Sequence, residues 1–122
     1  MVMNNATSRY PGVPLHPVDA TCGEKALAPD REFRKVWPWL GHDQYFPMEI
    51  ETTMSVSGNR RFPSGNWFWH EWDNSVASVD QIRRWLDRAR SMDAYLLLNC
   101  GPMASGRLRP EDVEALTSLL QT

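Results

Sequence analysis

The sequence predicts an α/β fold in which strands alternate with helices, as in part of a (β/α) barrel or in a doubly wound sheet. Three observations carry this prediction: a period-two strand near residue 50, an amphipathic helix near residue 85, and an apolar strand near residue 96 that leads through a Gly-Pro turn to another helix. A closed barrel needs about 250 residues, and the chain has 122. The architecture expected is therefore a partial barrel.

The first part of the chain is rich in residues that interrupt regular structure. Residues 4–41 contain five prolines and three glycines: Pro11, Pro14, Pro17, Pro29, Pro38, Gly12, Gly23 and Gly41. This density favours loop with short turns. We therefore treat residues 1–122 as a single incomplete domain, with an irregular Pro-rich segment at 1–45 and a strand-loop-helix-strand-helix part at 46–122.

The elements of residues 46–92 follow from their periodicity. Met48 and Ile50 alternate with Glu49 and Glu51, which predicts a strand over residues 46–54. Residues 55–73 predict a long loop or a short hairpin. A capping box from Ser78 begins a helix predicted over residues 78–92. The apolar positions of this helix recur at helical spacing: Val79, Ile82, Trp85, Leu86, Ala89 and Met92.

The last two elements are a strand at residues 94–99 and a helix beginning at Pro110. Residues 95–98 are all apolar or aromatic, which predicts a strand buried on both faces. Pro110 is well placed as a first helical residue, with acidic side chains in the turn that follows. Val113, Leu116 and Leu120 predict the apolar stripe of this helix.

Composition excludes several classes of function. The net charge of −2 and the pI near 5.9 give no electrostatic reason to expect nucleic acid or an anionic membrane as a partner. No stretch approaches the roughly 20 apolar residues of a spanning helix. Two cysteines and three scattered histidines show no metal-ligand spacing. We expect no metal and no cofactor.

Two features of the second half point to chemistry. Glu49 and Glu51 leave the same face of their strand. That face is either exposed to solvent or part of a site where paired carboxylates keep one proton, as a glycosidase acid does. The nearby aromatic run Trp67-Phe68-Trp69-His70-Glu71-Trp72 offers flat faces for sugar rings, or alternatively forms a small core beneath a loop.

Three segments in this order resemble the α-L-fucosidases of glycoside hydrolase family 29. PMEIETTM at residues 47–54 is similar to the family's P-x-E-x-C-x-T strand, and NWFW at 66–69 to its S-W-G-Y or S-W-F-W loop. YLLLNCGPMASG at 95–106 is similar to N-L-L-L-N-x-G-P-x-x-D-G. MVMNN at 1–5 resembles the tail of an earlier strand. The resemblance implies roughly the second half of a TIM-barrel-like catalytic domain.

The resemblance also implies roles for individual residues. Glu49 falls on the Glu of the strand motif and is the candidate acid/base. Glu51 stands where relatives often have Cys, so its catalytic role is open. Trp67, Trp69 and His70 belong to the loop that packs against the sugar, and Asn99 closes a strand at the site. The turn at 104–106 lacks the family's acidic residue.

The family's nucleophile, an Asp at the end of an upstream strand, has no matching segment. Asp19 and Asp30 lie in Pro-rich surroundings without a preceding apolar strand. We expect the chain alone to be inactive towards fucosylated glycans, since double displacement needs the nucleophile. The alternatives are a non-catalytic sugar-binding or pseudoenzyme module, or an unrelated α/β domain. Open strand edges also predict self-association.

Overall fold

The fold is a mixed α/β structure with a small parallel sheet and two helices, compatible with part of a barrel. The computed structural model describes residues 3–5, 19–24, 36–39, 41–57 and 65–121. The elements in these residues are β1 (Met3–Asn5), β2 (Ala20–Glu24), β3 (Val36–Trp39), β4 (His42–Tyr45), β5 (Met48–Thr53), α1 (Val79–Ser91), β6 (Ala94–Asn99) and α2 (Pro110–Leu120).

The larger sheet has the strand order β1-β2-β5-β6. β1 pairs with β2 in parallel, and β2 pairs with β5 in parallel with Thr21 opposite Met48 and Glu24 opposite Glu51. A separate antiparallel pair joins β3 to β4. β1 confirms a strand at residues 3–5 of the expected strand tail, and residues 1–2 lie outside the described residues.

The prediction of loop over residues 4–41 is wrong where β2 and β3 lie. The five residues of β2, ATCGE, are small or polar and show no alternation, so their burial could not be recognised from the sequence. β2 nevertheless lies between two other strands, and its first four residues are buried. Backbone pairing in the middle of a sheet determines this strand more than side-chain preference does.

The helices begin where the sequence predicts. The backbone amide of Gln81 donates to the hydroxyl of Ser78 at 3.2 Å, which confirms Ser78 as the cap of α1. Pro110 is the first residue of α2. After α1 the chain turns at Asp93, a non-glycine residue with φ of 50°. The Asp93 carboxylate accepts a hydrogen bond from the Tyr45 hydroxyl at 2.7 Å. No helix in the described ranges has the length and apolar character needed to cross a bilayer.

Contacts divide the chain into two compact units, each with its own apolar cluster. The first unit comprises Met1–Glu51 and Arg88–Leu97. In it, one face of β5 packs on the end of α1, through the buried side chains Met48, Ile50 and Ala89. Glu49 and Glu51, on the opposite face, are half-buried, so the predicted alternation of β5 is confirmed.

The second unit comprises Thr52–Asp87 and Leu98–Thr122. Its buried centre consists of Met54, Ala77 and Ile82. Partly buried apolar side chains pack around it: Val76, Trp85, Leu86, Leu98, Cys100, Ala115, Leu116 and Leu119. The carboxyl ends of two strands meet here, since the amide of Met54 donates to the carbonyl of Asn99 at 2.9 Å.

Two predictions about burial are wrong. β6 is not buried on both faces, because Tyr95 is 73% and Leu97 46% exposed. Its side chains alternate in exposure, and only the face that includes Leu96 packs on an apolar cluster. In α2, Leu116 packs inward as predicted, but Val113 and Leu120 are exposed. Asp112 is fully buried, so the face of α2 that packs inward differs from the predicted one. It contains Asp112, Ala115, Leu116 and Leu119.

The packed face of α2 predicts different costs for two neighbouring leucines. Leu119→Ala should lower the free energy of unfolding by about 2 kcal/mol, because Leu119 packs on the cluster of the second unit. Leu120→Ala is the matched control, since Leu120 is 86% exposed and should cost less than about 0.5 kcal/mol. Urea denaturation measures both. Equal costs would contradict the observed helix face.

Candidate functional site

The first unit brings acidic side chains together on one face of the neighbouring strands β2 and β5. Cys22 pairs with Glu49 and Glu24 with Glu51 in the parallel register. Because side chains alternate along a strand and paired residues share a face, these four side chains lie on the face opposite Ile50. Sequence reasoning predicted that Glu49 and Glu51 lie together. It missed Glu24, which belongs to the segment predicted as loop.

The thiol of Cys22 lies within this acidic group. Burial, and after it the neighbouring carboxylates of Glu51, Glu49 and Glu24, together raise the pKa of the Cys22 thiol to about 12. A side-chain hydrogen bond joins the thiol to Glu51. The thiol therefore stays protonated at neutral pH and serves as a donor, not as a nucleophile. The described residues place no three His, Cys, Asp or Glu side chains where they could hold a metal ion together.

The second unit holds the aromatic residues on one anchored segment, residues 65–76, here called the aromatic loop. Its anchor is the buried carboxylate of Asp73, which accepts hydrogen bonds from the hydroxyls of Ser55 and Ser57. It also accepts from Asn66 Nδ2 at 2.9 Å and from the amide of Ser75 at 3.2 Å. Burial alone would raise the pKa of the Asp73 carboxyl, but these donors together lower it to about 2.

A buried ion pair connects the aromatic loop to the start of α2. The Arg109 guanidinium donates to both carboxylate oxygens of Asp112 at 3.1 and 3.0 Å. Its remaining terminal nitrogen donates to the backbone carbonyl of Asp73 at 2.9 Å. Arg109 and Asp112 are both buried, so their charges are compensated by each other. This arrangement accounts for the burial of an acidic residue in the first turn of α2.

Asn99 and Gly101 hold the other side of the aromatic loop. The Asn99 side-chain amide donates to the carbonyl of Trp67 at 2.7 Å. A Cβ at Gly101 would lie 2.6 Å from the backbone nitrogen of Trp69 and 3.0 Å from the carbonyl carbon of Phe68. Only glycine leaves room for the loop backbone here. The Asn-x-Gly sequence after β6 therefore positions the loop.

The aromatic side chains of the loop differ in exposure. Trp67, Trp69 and His70 are half-buried, whereas Phe68 is 77% and Trp72 55% exposed. The rings of His70 and Trp72 are stacked, with centroids 5.0 Å apart. Neither interpretation of the aromatic run, sugar contact or small core, is tested by these positions. The roles of Glu49, Glu51, Trp67, Trp69, His70 and Asn99 stay predictions.

The aromatic loop and the start of α2 enclose a cleft of about 300 Å³. Trp69, Val76 and Met103 line it, together with the buried Asp73 and Arg109. Exposed polar and acidic residues complete the lining: Glu71, Asn74 and Glu111. The cleft thus offers an aromatic surface beside carboxylate and amide groups. The sequence had no signal for it, because its walls come from segments far apart in the chain.

Comparison with known proteins shows similarity of fold. No family model matches the chain, and no curated protein matches it. Among solved structures, the chain is similar to "Alpha-L-fucosidase isoenzyme 1 from Paenibacillus thiaminolyticus", with a TM-score of 0.62 and 23% sequence identity. The match covers 83% of this chain and 20% of that protein. This chain therefore shares a fucosidase-like fold over a fifth of the length of that protein.

Gly101→Ala should displace the aromatic loop, because the new methyl group would overlap the backbone of Trp69. In ¹H–¹⁵N spectra the indole N–H signals of Trp67 and Trp69 should shift or broaden, while those of α1 amides stay in place. Pro102→Ala is the control, since Pro102 is exposed. Unchanged indole signals in Gly101→Ala would contradict the close approach described here.

The Asp73 anchor predicts acid sensitivity. Because the folded pKa lies below the unfolded value, the carboxylate stabilises the fold above about pH 4, and this contribution is lost as the pH falls towards 2. Asp73→Asn should reduce stability at pH 7 and flatten its dependence between pH 4 and 2. Urea denaturation at several pH values measures this. Asp80→Asn, at an exposed site in α1, is the control for removal of a surface carboxylate.

Proposed function

We propose that the chain is a glycoside hydrolase-like polypeptide that corresponds to the C-terminal part of an α-L-fucosidase barrel. The observation that carries the proposal is the fold similarity to a fucosidase over 83% of the chain. The order of the three sequence motifs supports it, since each motif falls on a matching element: a strand, a loop and a strand-turn junction. The substrate class is a fucosylated glycan or glycoside.

In this proposal Glu49 is the acid/base and the aromatic loop contacts the sugar. A retaining glycosidase uses one carboxyl group to protonate the glycosidic oxygen and a second as nucleophile. The parallel register adds Glu24 beside Glu51 as a further carboxylate of the same face. Trp67, Trp69 and His70 would bind the fucose ring, and Asn99 would act by holding Trp67 in place.

The 122-residue chain should not hydrolyse a nitrophenyl α-L-fucoside. The reason is the missing nucleophile segment, because Glu49 alone can protonate a leaving group but cannot form the glycosyl intermediate. The measurement is release of nitrophenol by the purified polypeptide over several hours. Steady turnover that disappears in Glu49→Gln would overturn the predicted inactivity and show that Glu49 takes part in the reaction.

A second candidate function, sugar binding without hydrolysis, is favoured by one observation. The anchors of the aromatic loop, Asp73 and Asn99, belong to the second unit and do not involve the carboxylates of β5. The loop is therefore held without the groups that would perform the reaction.

Calorimetry with L-fucose tests this second candidate. Binding by the wild-type chain should be abolished in Trp67→Ala and in Trp69→Ala. Phe68→Ala is the matched control within the loop, because its ring is 77% exposed. Absence of fucose binding by a folded wild-type chain would exclude the sugar-binding module.

A further inference from the structure

We propose that the cleft between the aromatic loop and the start of α2 is a binding site for a neutral sugar unit next to the fucose in a glycan. The inference rests on the proposed function for the identity of that glycan. Its physical basis is the lining of the cleft in the second unit. No part of it uses Glu49 or Glu51.

The size of the cleft suits one sugar unit. Its volume of about 300 Å³ lies at the lower end of the range of about 300–1,000 Å³ for small-molecule sites. Three of its lining residues, Trp69, Val76 and Met103, have large apolar side chains. A sugar ring presents an apolar C–H face to such side chains, and it carries hydroxyl groups around its edge. These side chains therefore match one face of the ligand.

The exposed side of the cleft offers hydrogen-bonding groups for those hydroxyls. Glu71 and Glu111 contribute carboxylates, and Asn74 contributes an amide. A hydroxyl that donates to a carboxylate makes a charge-assisted hydrogen bond, which is roughly twice as strong as a neutral one. The apolar residues of the lining can contact the C–H face of a sugar ring, and the polar residues can bind the hydroxyl groups at its edge.

Charge selects a neutral sugar over an anionic one. Arg109 also lines the cleft, but its guanidinium is hydrogen-bonded to Asp112 and to the Asp73 carbonyl, so its charge is already compensated. The carboxylates of Glu71 and Glu111 therefore dominate the potential. A sialylated or sulfated sugar would place a negative charge beside them, which is unfavourable.

The anchors keep the cleft in shape before any ligand arrives. Asp73 holds the loop through four hydrogen-bond donors, and Arg109 ties that loop to α2. Because these hydrogen bonds already join the loop to α2, binding requires less ordering of the protein. The site is preorganised on the side that contains Trp69.

The test is a ¹H–¹⁵N titration of the full 122-residue chain with 2′-fucosyl-lactose. The indole N–H of Trp69 and the amides of Glu71, Asn74 and Glu111 should shift. Glu111→Gln and Asn74→Ala should each weaken binding by about fivefold, as expected for loss of one hydrogen bond. Glu114→Gln is the matched control, because Glu114 is an exposed residue of α2 outside the cleft. Unchanged affinity in both cleft variants would overturn the proposal.

Two further probes test the assignment to a neutral sugar. A sialylated fucosyl-lactose should bind about tenfold more weakly than the neutral compound, and Glu111→Lys should narrow that difference. Galactosamine, a cationic sugar, should bind no more than about threefold tighter than galactose. The assignment to a neutral sugar would be overturned if the sialylated compound bound as tightly as the neutral one. It would also be overturned if galactosamine bound much more tightly than galactose.

Lactose and methyl α-L-fucoside separate this inference from the proposed function. If lactose shifts the signals of the cleft residues and Glu111→Gln abolishes these shifts, the cleft is a sugar-binding site. If the fucoside binds nowhere in the same chain, the fucose assignment of the proposed function fails while the cleft assignment stands. Fucoside binding combined with no response of the cleft to lactose overturns the cleft and leaves the proposed function standing.

Discussion

The second unit depends on the buried carboxylate of Asp73. A buried charge is tolerated only when hydrogen bonds replace its lost hydration, and Asp73 obtains donors from the residues just after β5 and from both ends of the aromatic loop. The same residue offers its backbone carbonyl to Arg109. One residue thus joins the chain after β5, the aromatic loop and α2. The position of Trp69 follows from that junction.

Two glycines impose the complementary constraint, which is steric. Gly65 has φ of 89°, and a Cβ there would lie 2.0 Å from the carbonyl oxygen of Ser55. Gly101 leaves room for the backbone of Trp69 and Phe68. The hydrogen bonds of Asp73 hold the loop close to its neighbours, and the absence of side chains at Gly65 and Gly101 leaves room for its backbone. The aromatic loop is therefore defined by what its backbone touches, while rings such as Phe68 extend outward.

Periodicity predicted β5 and α1, because each of them has one apolar face, whereas β6 was predicted from a continuous apolar run. It failed at β2, whose small and polar residues are buried by strand pairing. It also failed for the packed face of α2, since the Arg109–Asp112 pair places a charge inside. For the candidate site, local spacing placed Glu49 beside Glu51. The hydrogen bonds that anchor the aromatic loop were not predicted, because they join residues up to 36 positions apart. Sequence periodicity does not indicate contacts over such separations.

The buried pair of Arg109 and Asp112 has an evolutionary consequence. Loss of either partner would leave the other charge buried and uncompensated, so the two residues are free to change only together. The exposed ring positions of the aromatic loop carry no such linkage. The side chains of Phe68 and Trp72 take no part in the hydrogen bonds of the anchors. Selection therefore acts on Arg109 and Asp112 as a pair. New ligand preferences can arise at the exposed ring positions without a change in that pair.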